Sequence, residues 1–249
     1  MNRLLGLLLL VGSLSLGSHA QNDSGPKPPV SDKTAAAAAD RRAAEIAKAT
    51  LAAHGGEKLT HMKSLLVRGT VDVTSSTFNQ PIPATFVIVT AGDRYRFELN
   101  NPIQPLKQVF DGRQTYTTAQ GLALPPMTSL GFPLLSRIGE SGYVIAALPD
   151  AKKKRAGFRI TAPGGYYTDF FVDEKTNQIK GYESSYDIDG RLITTSVEVD
   201  KFQTVDGLLV PDKYSQRFDL GTMTAYASFK AKQILVNSVI TDDVFAIPN

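Results

Sequence analysis

The chain has 249 residues, 27 of them basic and 24 acidic, with no cysteine and no tryptophan. So even a balance argues against a nucleic-acid partner. The lack of cysteine excludes a disulfide framework, a thiolate metal site, a cysteine nucleophile and a lipid-modified cysteine anchor.

The first twenty residues, MNRLLGLLLLVGSLSLGSHA, have a basic start at Arg3, an apolar run from Leu4 to Val11, and small residues at Ser18 and Ala20. This is the pattern of a cleavable secretory signal. Its strongly apolar core of about ten residues is half of the roughly 20 that a spanning helix needs. A soluble periplasmic protein beginning at Gln21 is expected, and a disulfide-free domain of this size can rely on its own core there. Residues 21–34, QNDSGPKPPVSDKT, are rich in proline, serine and charge and read as a disordered tether. Residues 35–249 read as one domain.

AAAAADRRAAEIAKATLAAHGG is built from strong helix formers, with Gly55 and Gly56 as the stop. Its apolar stripe of Ala43, Ile46, Ala47 and Leu51 is thin, so the helix has to dock on something larger. EKLTHMKSL adds one more turn. From Leu65 the period changes to two: Leu65, Val67, Gly69, Val71 and Val73 share a face opposite Arg68, Thr70 and Asp72. Tyr95, Phe97 and Leu99 alternate with Arg94, Arg96 and Glu98 in the same way. Later, Met223, Ala225, Ala227, Phe229 and Ala231 lie opposite Thr224, Tyr226, Ser228, Lys230 and Lys232. These are half-buried antiparallel strands.

Asp-Gly pairs at Asp111-Gly112, Asp189-Gly190 and Asp206-Gly207 predict tight hairpins, because both central positions need positive φ. Strands over Arg155 to Ala162, Tyr166 to Asp173, Gln178 to Asp187 and Arg191 to Thr204 then form a meander. Pro211 falls near a strand start, where an edge or a bulge tolerates its missing N–H. Pro125 to Asp150 interrupts the strands and reads as short helices crossing over the sheet.

The order VDGLLVPDKYSQRF followed by ILVNSVITDDVFAIP resembles the ending of the outer-membrane lipoprotein carrier (LolA/LolB-like) family. AAHGGEKLTHMKSLLVRGTVDV resembles the helix, Gly-Gly and first strand of its more distant members, and VFDGRQTYTTAQG resembles its mid-chain hairpin. The resemblance covers most of Ala43 to Pro248. It implies a mainly β (α+β) fold: a curved antiparallel half-barrel of about eleven strands, an N-terminal helix, a helical lid and an apolar cavity for acyl chains. It also makes Asp242-Asp243 a turn before a last strand. Without a cysteine, the chain departs from the family's self-anchored receptors.

On this reading Val67, Val71, Phe86, Phe97, Met223 and Phe229 line the cavity, and Phe132, Leu134, Leu135 and Ile138 belong to the lid. Gly69, Ala225 and Ala227 leave room for a ligand. The expected partner is a lipid or lipoprotein acyl chain, with an envelope protein and transient membrane contact as further partners, and the chain is expected to act as a monomer. No cofactor, metal or catalytic residue is assigned. The alternative is an envelope interaction module of the same fold whose core is filled by its own side chains. The two histidines beyond the leader read as a helix-end cation (His54) and a surface side chain (His61). DIDG (Asp187 to Gly190) lacks the distal ligands of a calcium loop, and Ser141 lacks the frame of a nucleophile elbow. KKKR (Lys152 to Arg155) reads as a solvated loop or a contact with anionic headgroups.

Overall fold

The computed structural model describes residues 32–247 except for 76–77, 103–104, 119–125, 153, 189–190 and 220–223. The predicted leader, most of the tether and Met223 lie outside these residues. Helix α1 (Asp32–Ala53) and the single turn α2 (Glu57–Thr60) precede β1 (Ser64–Ser75), β2 (Phe78–Ala91), β3 (Arg94–Asn100), β4 (Leu106–Phe110) and β5 (Thr115–Thr117). After a stretch of 3-10 turns come β6 (Val144–Ala146), β7 (Gly157–Thr161), β8 (Tyr167–Val172), β9 (Ile179–Ile188), β10 (Arg191–Val205), β11 (Leu208–Asp219) and β12 (Thr224–Val236).

All twelve strands form one open sheet in the order β5-β4-β3-β2-β1-β12-β11-β10-β9-β8-β7-β6, and every pairing is antiparallel. The expected half-barrel is present, with one strand more than expected. The extra element is β6, which lies in the segment predicted to be helical throughout. That segment otherwise forms 3-10 turns at Met127–Ser129, Phe132–Arg137 and Asp150–Lys152. Both edge strands, β5 and β6, have only three residues, and short edges discourage sheet-to-sheet pairing.

The sheet is strongly curled, as one short segment demonstrates. Gly131 donates its N–H to Thr168 Oγ1 on β8, while Arg137 reaches Asp93 in the β2–β3 turn. Strands β8 and β2 are six intervals apart, about 29 Å in a flat sheet. Six residues of 3-10 helix advance only about 12 Å. The strands must therefore wrap around the segment, which makes one face concave.

The hairpin turns differ in detail. Asp206 and Gly207 have φ of 52° and 82°, as a mirror-image two-residue turn requires. Asp111 is not in the left-handed region. Its carboxylate instead accepts the N–H groups of Arg113 and Gln114, a side-chain mimic of a turn. Arg191 pairs with Ile188 across the third hairpin, whose tip lies outside the described residues. Pro211 occupies a compatible place: the β11–β12 pairing begins only at Lys213, and β11 bulges at Asp212, next to Pro211, where Lys201 pairs with Lys213 but Phe202 with Pro211.

Gly69 does not leave space for a ligand. A Cβ there would lie 2.0 Å from the Lys230 carbonyl oxygen, at a bulge where Arg68 pairs with Gln233 but Gly69 with Ala231. Gly69→Ala is expected to cost about 1 to 3 kcal/mol through overpacking, read from the urea midpoint at unchanged slope.

Candidate functional site: a plugged concave face

The concave face carries the main core. Val67 and Val71 of β1, Phe86 of β2 and Phe229 of β12 belong to one buried cluster with Phe132, Leu134 and Leu135 from the 3-10 segment, and half-buried Ile138 packs against it. Phe86 and Phe229 meet edge to face at 5.1 Å, and Tyr214 stacks on Phe229 at 4.7 Å. Phe97 is half-buried and outside this cluster, and Leu99 is the β3 residue that packs against it. Ala227 is buried within the same cluster.

Phe132–Arg137 therefore acts as a plug. Leu134 and Leu135 are fully buried, yet the segment is tied to the sheet by side chains. The Phe132 backbone N–H donates to the Tyr182 hydroxyl, and burial, which outweighs that bond, raises the Tyr182 pKa well above its ordinary value, so the phenol stays neutral. Thr168, the acceptor for Gly131 N–H, is held by Ser184 at 2.7 Å. At the far end Arg137 bonds Asp93 at 2.6 Å and Glu140 at 3.1 Å. Beside this latch, Lys63, Ser64, Thr90, Thr128, Ser136 and Glu140 line part of a polar cavity of about 80 Å³. A second, of about 320 Å³, opens between Lys58, His61, Leu208 and Asn237. Neither cavity is lined by the predicted acyl-chain residues.

The helix docks on the same face, and its buried residues are Ala43, Ala47, Thr50 and, just past its end, His54. Ile46 and Leu51 are only half-buried. His54 is not a helix-end cation. It is fully buried, its Nδ1–H donates to the Leu209 carbonyl at 2.9 Å, and its Nε2 accepts the Ile179 N–H at 3.1 Å. Those roles require the neutral Nδ1–H tautomer. Burial lowers its pKa, against a smaller upward effect of the Leu209 bond. The ring meets Phe132 and Phe202 edge-on, joining helix end, sheet and plug. The Asp206-Gly207 corner is therefore also a docking point, since Leu209 N–H reaches the His54 carbonyl and Lys58 Nζ reaches the Asp206 carbonyl.

His61 is exposed and donates Nδ1–H to the Glu57 carbonyl. Among the described residues no group of three or more His, Asp or Glu is placed to hold a metal ion. KKKR is not simply solvated. Lys152 pairs with Asp169 at 2.9 Å and with Glu183, and Arg155 lies 4.1 Å over the Phe171 ring. The residues after Asp242-Asp243 form no strand as far as Ile247. Asp242–Phe245 is a 3-10 turn on the convex face, where Phe245 is buried with Val89 and Val109. Arg94 pairs with Asp242 and covers the Phe245 ring, and Arg96 donates to the Val244 carbonyl.

These features define an open antiparallel half-barrel with a helix and a short plug on its concave side. Among solved structures, the chain is similar to a LolA superfamily protein from Nitrosomonas europaea, at 12% identity over 85% of this chain and 97% of that one with TM-score 0.49. It is also similar to a DUF1329 family protein from Desulfovibrio piger, at 8% identity over 82% and 97% with TM-score 0.48. A third is an outer-membrane lipoprotein-sorting protein domain from Vibrio parahaemolyticus, at 10% identity over 83% and 97% with TM-score 0.45. No family model matches the sequence, and no curated protein does. The architecture itself rests on strand order and register. No helix among the described residues is long and apolar enough to cross a membrane.

Proposed function

We propose that this protein is an exported, periplasmic, non-enzymatic binding or carrier protein that takes the acyl chain of a lipid or lipoprotein onto its concave face. The observation that carries this reading is the plug, an apolar segment buried against the sheet but fastened there by side chains rather than strand pairing. Phe132, Leu134 and Leu135 bring about fifteen side-chain carbons, near the size of a long acyl chain. A sixteen-carbon chain gains at most about 12 kcal/mol on burial. Exposing three buried side chains costs about 5 to 9 kcal/mol. The few kcal/mol that remain suit reversible hand-over rather than storage.

The second reading, an interaction module with a filled core, is favoured by the position of both cavities away from the predicted lining. Arg137→Ala separates the two. Releasing the latch to Asp93 and Glu140 should raise uptake of a fluorescent fatty acid several-fold and should increase lipid co-purifying in native mass spectrometry. Absence of uptake in both wild type and Arg137→Ala overturns the carrier reading.

A further inference from the structure

The convex face carries an arrangement that ligand uptake on the concave face does not use. Lys201 of β10 stands opposite Lys213 of β11, and Lys213 stands opposite Lys230 of β12. Three exposed lysines thus face one another in register across adjacent strands, about 5 Å apart from strand to strand. Like charges directly opposite destabilise a sheet. Exposed Lys232 and Arg68 adjoin the row at the β12 bulge.

The nearby carboxylates offset the row only at its Lys201 end. Asp212 pairs with Lys201 at 3.3 Å. Glu198 and Asp72 lie one outward row away, opposite Ser215 and Ser228 respectively. Among the described residues no salt bridge reaches Arg68, Lys213, Lys230 or Lys232. Apolar side chains flank the cations along the same strand. Tyr226 is 50% exposed, Leu235 38% and Val239, just beyond the strand, 93%. From Tyr226 to Leu235 is about 30 Å of strand. Because the sheet curls across its strands, a flat surface laid on the convex side meets it along a strand, which is the direction of this stripe.

We infer that this stripe docks the protein on a bilayer surface containing anionic lipid. The occupant follows from three features of the patch. β10, β11 and β12 are interior strands, and around Lys213 and Lys230 their backbone groups are paired with one another and offer no edge for an added peptide strand. Four of the five cations are lysines, point charges without the fork that selects a fixed carboxylate, and suited to mobile headgroup phosphates. Tyrosine and exposed aliphatic side chains beside lysines match the chemistry of a membrane interface. This inference is independent of the concave-face reading, so it can fail while fatty-acid uptake succeeds, and the reverse.

The test is co-sedimentation of the full chain with phosphatidylcholine vesicles, with and without phosphatidylglycerol, at low and high salt. Binding should require phosphatidylglycerol and fall with salt, since contacts beyond the Debye length are screened. Each lysine removed should weaken binding about five-fold, and Lys213→Glu/Lys230→Glu together by about twenty-five-fold or more. The melting temperature of that double variant should stay level or rise if one like-charge contact is relieved. Lys48→Glu/Lys175→Glu, with the same net charge, should bind as wild type. Equal losses in both double variants, or no loss in either, would overturn the inference. So would failure to bind anionic vesicles combined with binding to polyglutamate that Lys213→Glu/Lys230→Glu abolishes, which would assign the stripe to an acidic protein.

Discussion

Replacing His54 with leucine is expected to lower the unfolding free energy by about 2 to 4 kcal/mol. The leucine fills most of the ring's volume, so the loss comes from polar groups rather than from a cavity. Leu209 C=O loses its Nδ1–H donor, Ile179 N–H loses its Nε2 acceptor, and both would sit in a site that excludes water. A buried backbone group without a partner costs about 1 to 3 kcal/mol. The substitution also changes pH dependence. His54 has a folded-state pKa below its ordinary 6.5, so the unfolded chain binds the proton more readily. Its contribution to stability is complete above pH 6.5 and declines as pH falls from there toward the folded value. Protonation would also aim a second N–H at the Ile179 N–H. Urea unfolding of wild type and variant between pH 5 and 8 tests this, and the wild-type slope in the acid half should flatten in His54→Leu. An unchanged midpoint and slope would mean that these groups have found other partners.

Asp169→Asn is the second large expected effect, about 2 to 4 kcal/mol at neutral pH. The carboxylate is fully buried, with Arg159 Nε at 2.6 Å, Arg159 Nη2 at 2.9 Å and Lys152 Nζ at 2.9 Å. Breaking a buried pair commonly costs about 3 to 5 kcal/mol because the remaining charge is uncompensated. The value here is set lower because Arg159 and Lys152 keep 25% and 27% of their side-chain surface in solvent. Burial alone would raise the Asp169 pKa, but the hydrogen bonds and charges of Arg159 and Lys152 outweigh it and hold the pKa below 3.8. The stabilisation is therefore present above pH 3.8 and lost as pH falls through the folded value. Asp173, held to about 2 first by its Lys180 bond, titrates in the same window. Comparing the acid limbs of wild type and Asp169→Asn isolates the Asp169 part.

The alternation of Leu65 to Val73 and of Ala225 to Ala231 was sufficient to place those residues, because a strand half-buried in a sheet repeats its exposure every second residue. The Asp-Gly pairs marked hairpins for a similarly local reason. Phe97 lies opposite Ile88 but outside the buried cluster, because alternation finds a face but not how far along the strand the core extends. β6 was missed because three residues are too few to display a period.

The candidate site divides in the same way. Phe132, Leu134, Leu135, Val67, Val71, Phe86 and Phe229 could be read as apolar, and the structure brings them into one cluster. Their packing into one cluster depends on the curl of the sheet. His54 looked like a cation because a helix end is where cations are favoured. Its burial is created by partners 125 and 155 residues away in the chain.

The sequence by itself therefore determined what depends on neighbouring residues: the helix and its stop, the strand faces, the hairpins and the balance of charge. Only the tertiary structure decided what depends on distant ones. It placed the bulge that turns both Ala231 and Ile234 inward despite their different parity. It packed Phe245 on the convex face and neutralised His54. It also aligned Lys201, Lys213 and Lys230 into one row, because strand register is set by pairing between segments that no local pattern can count across.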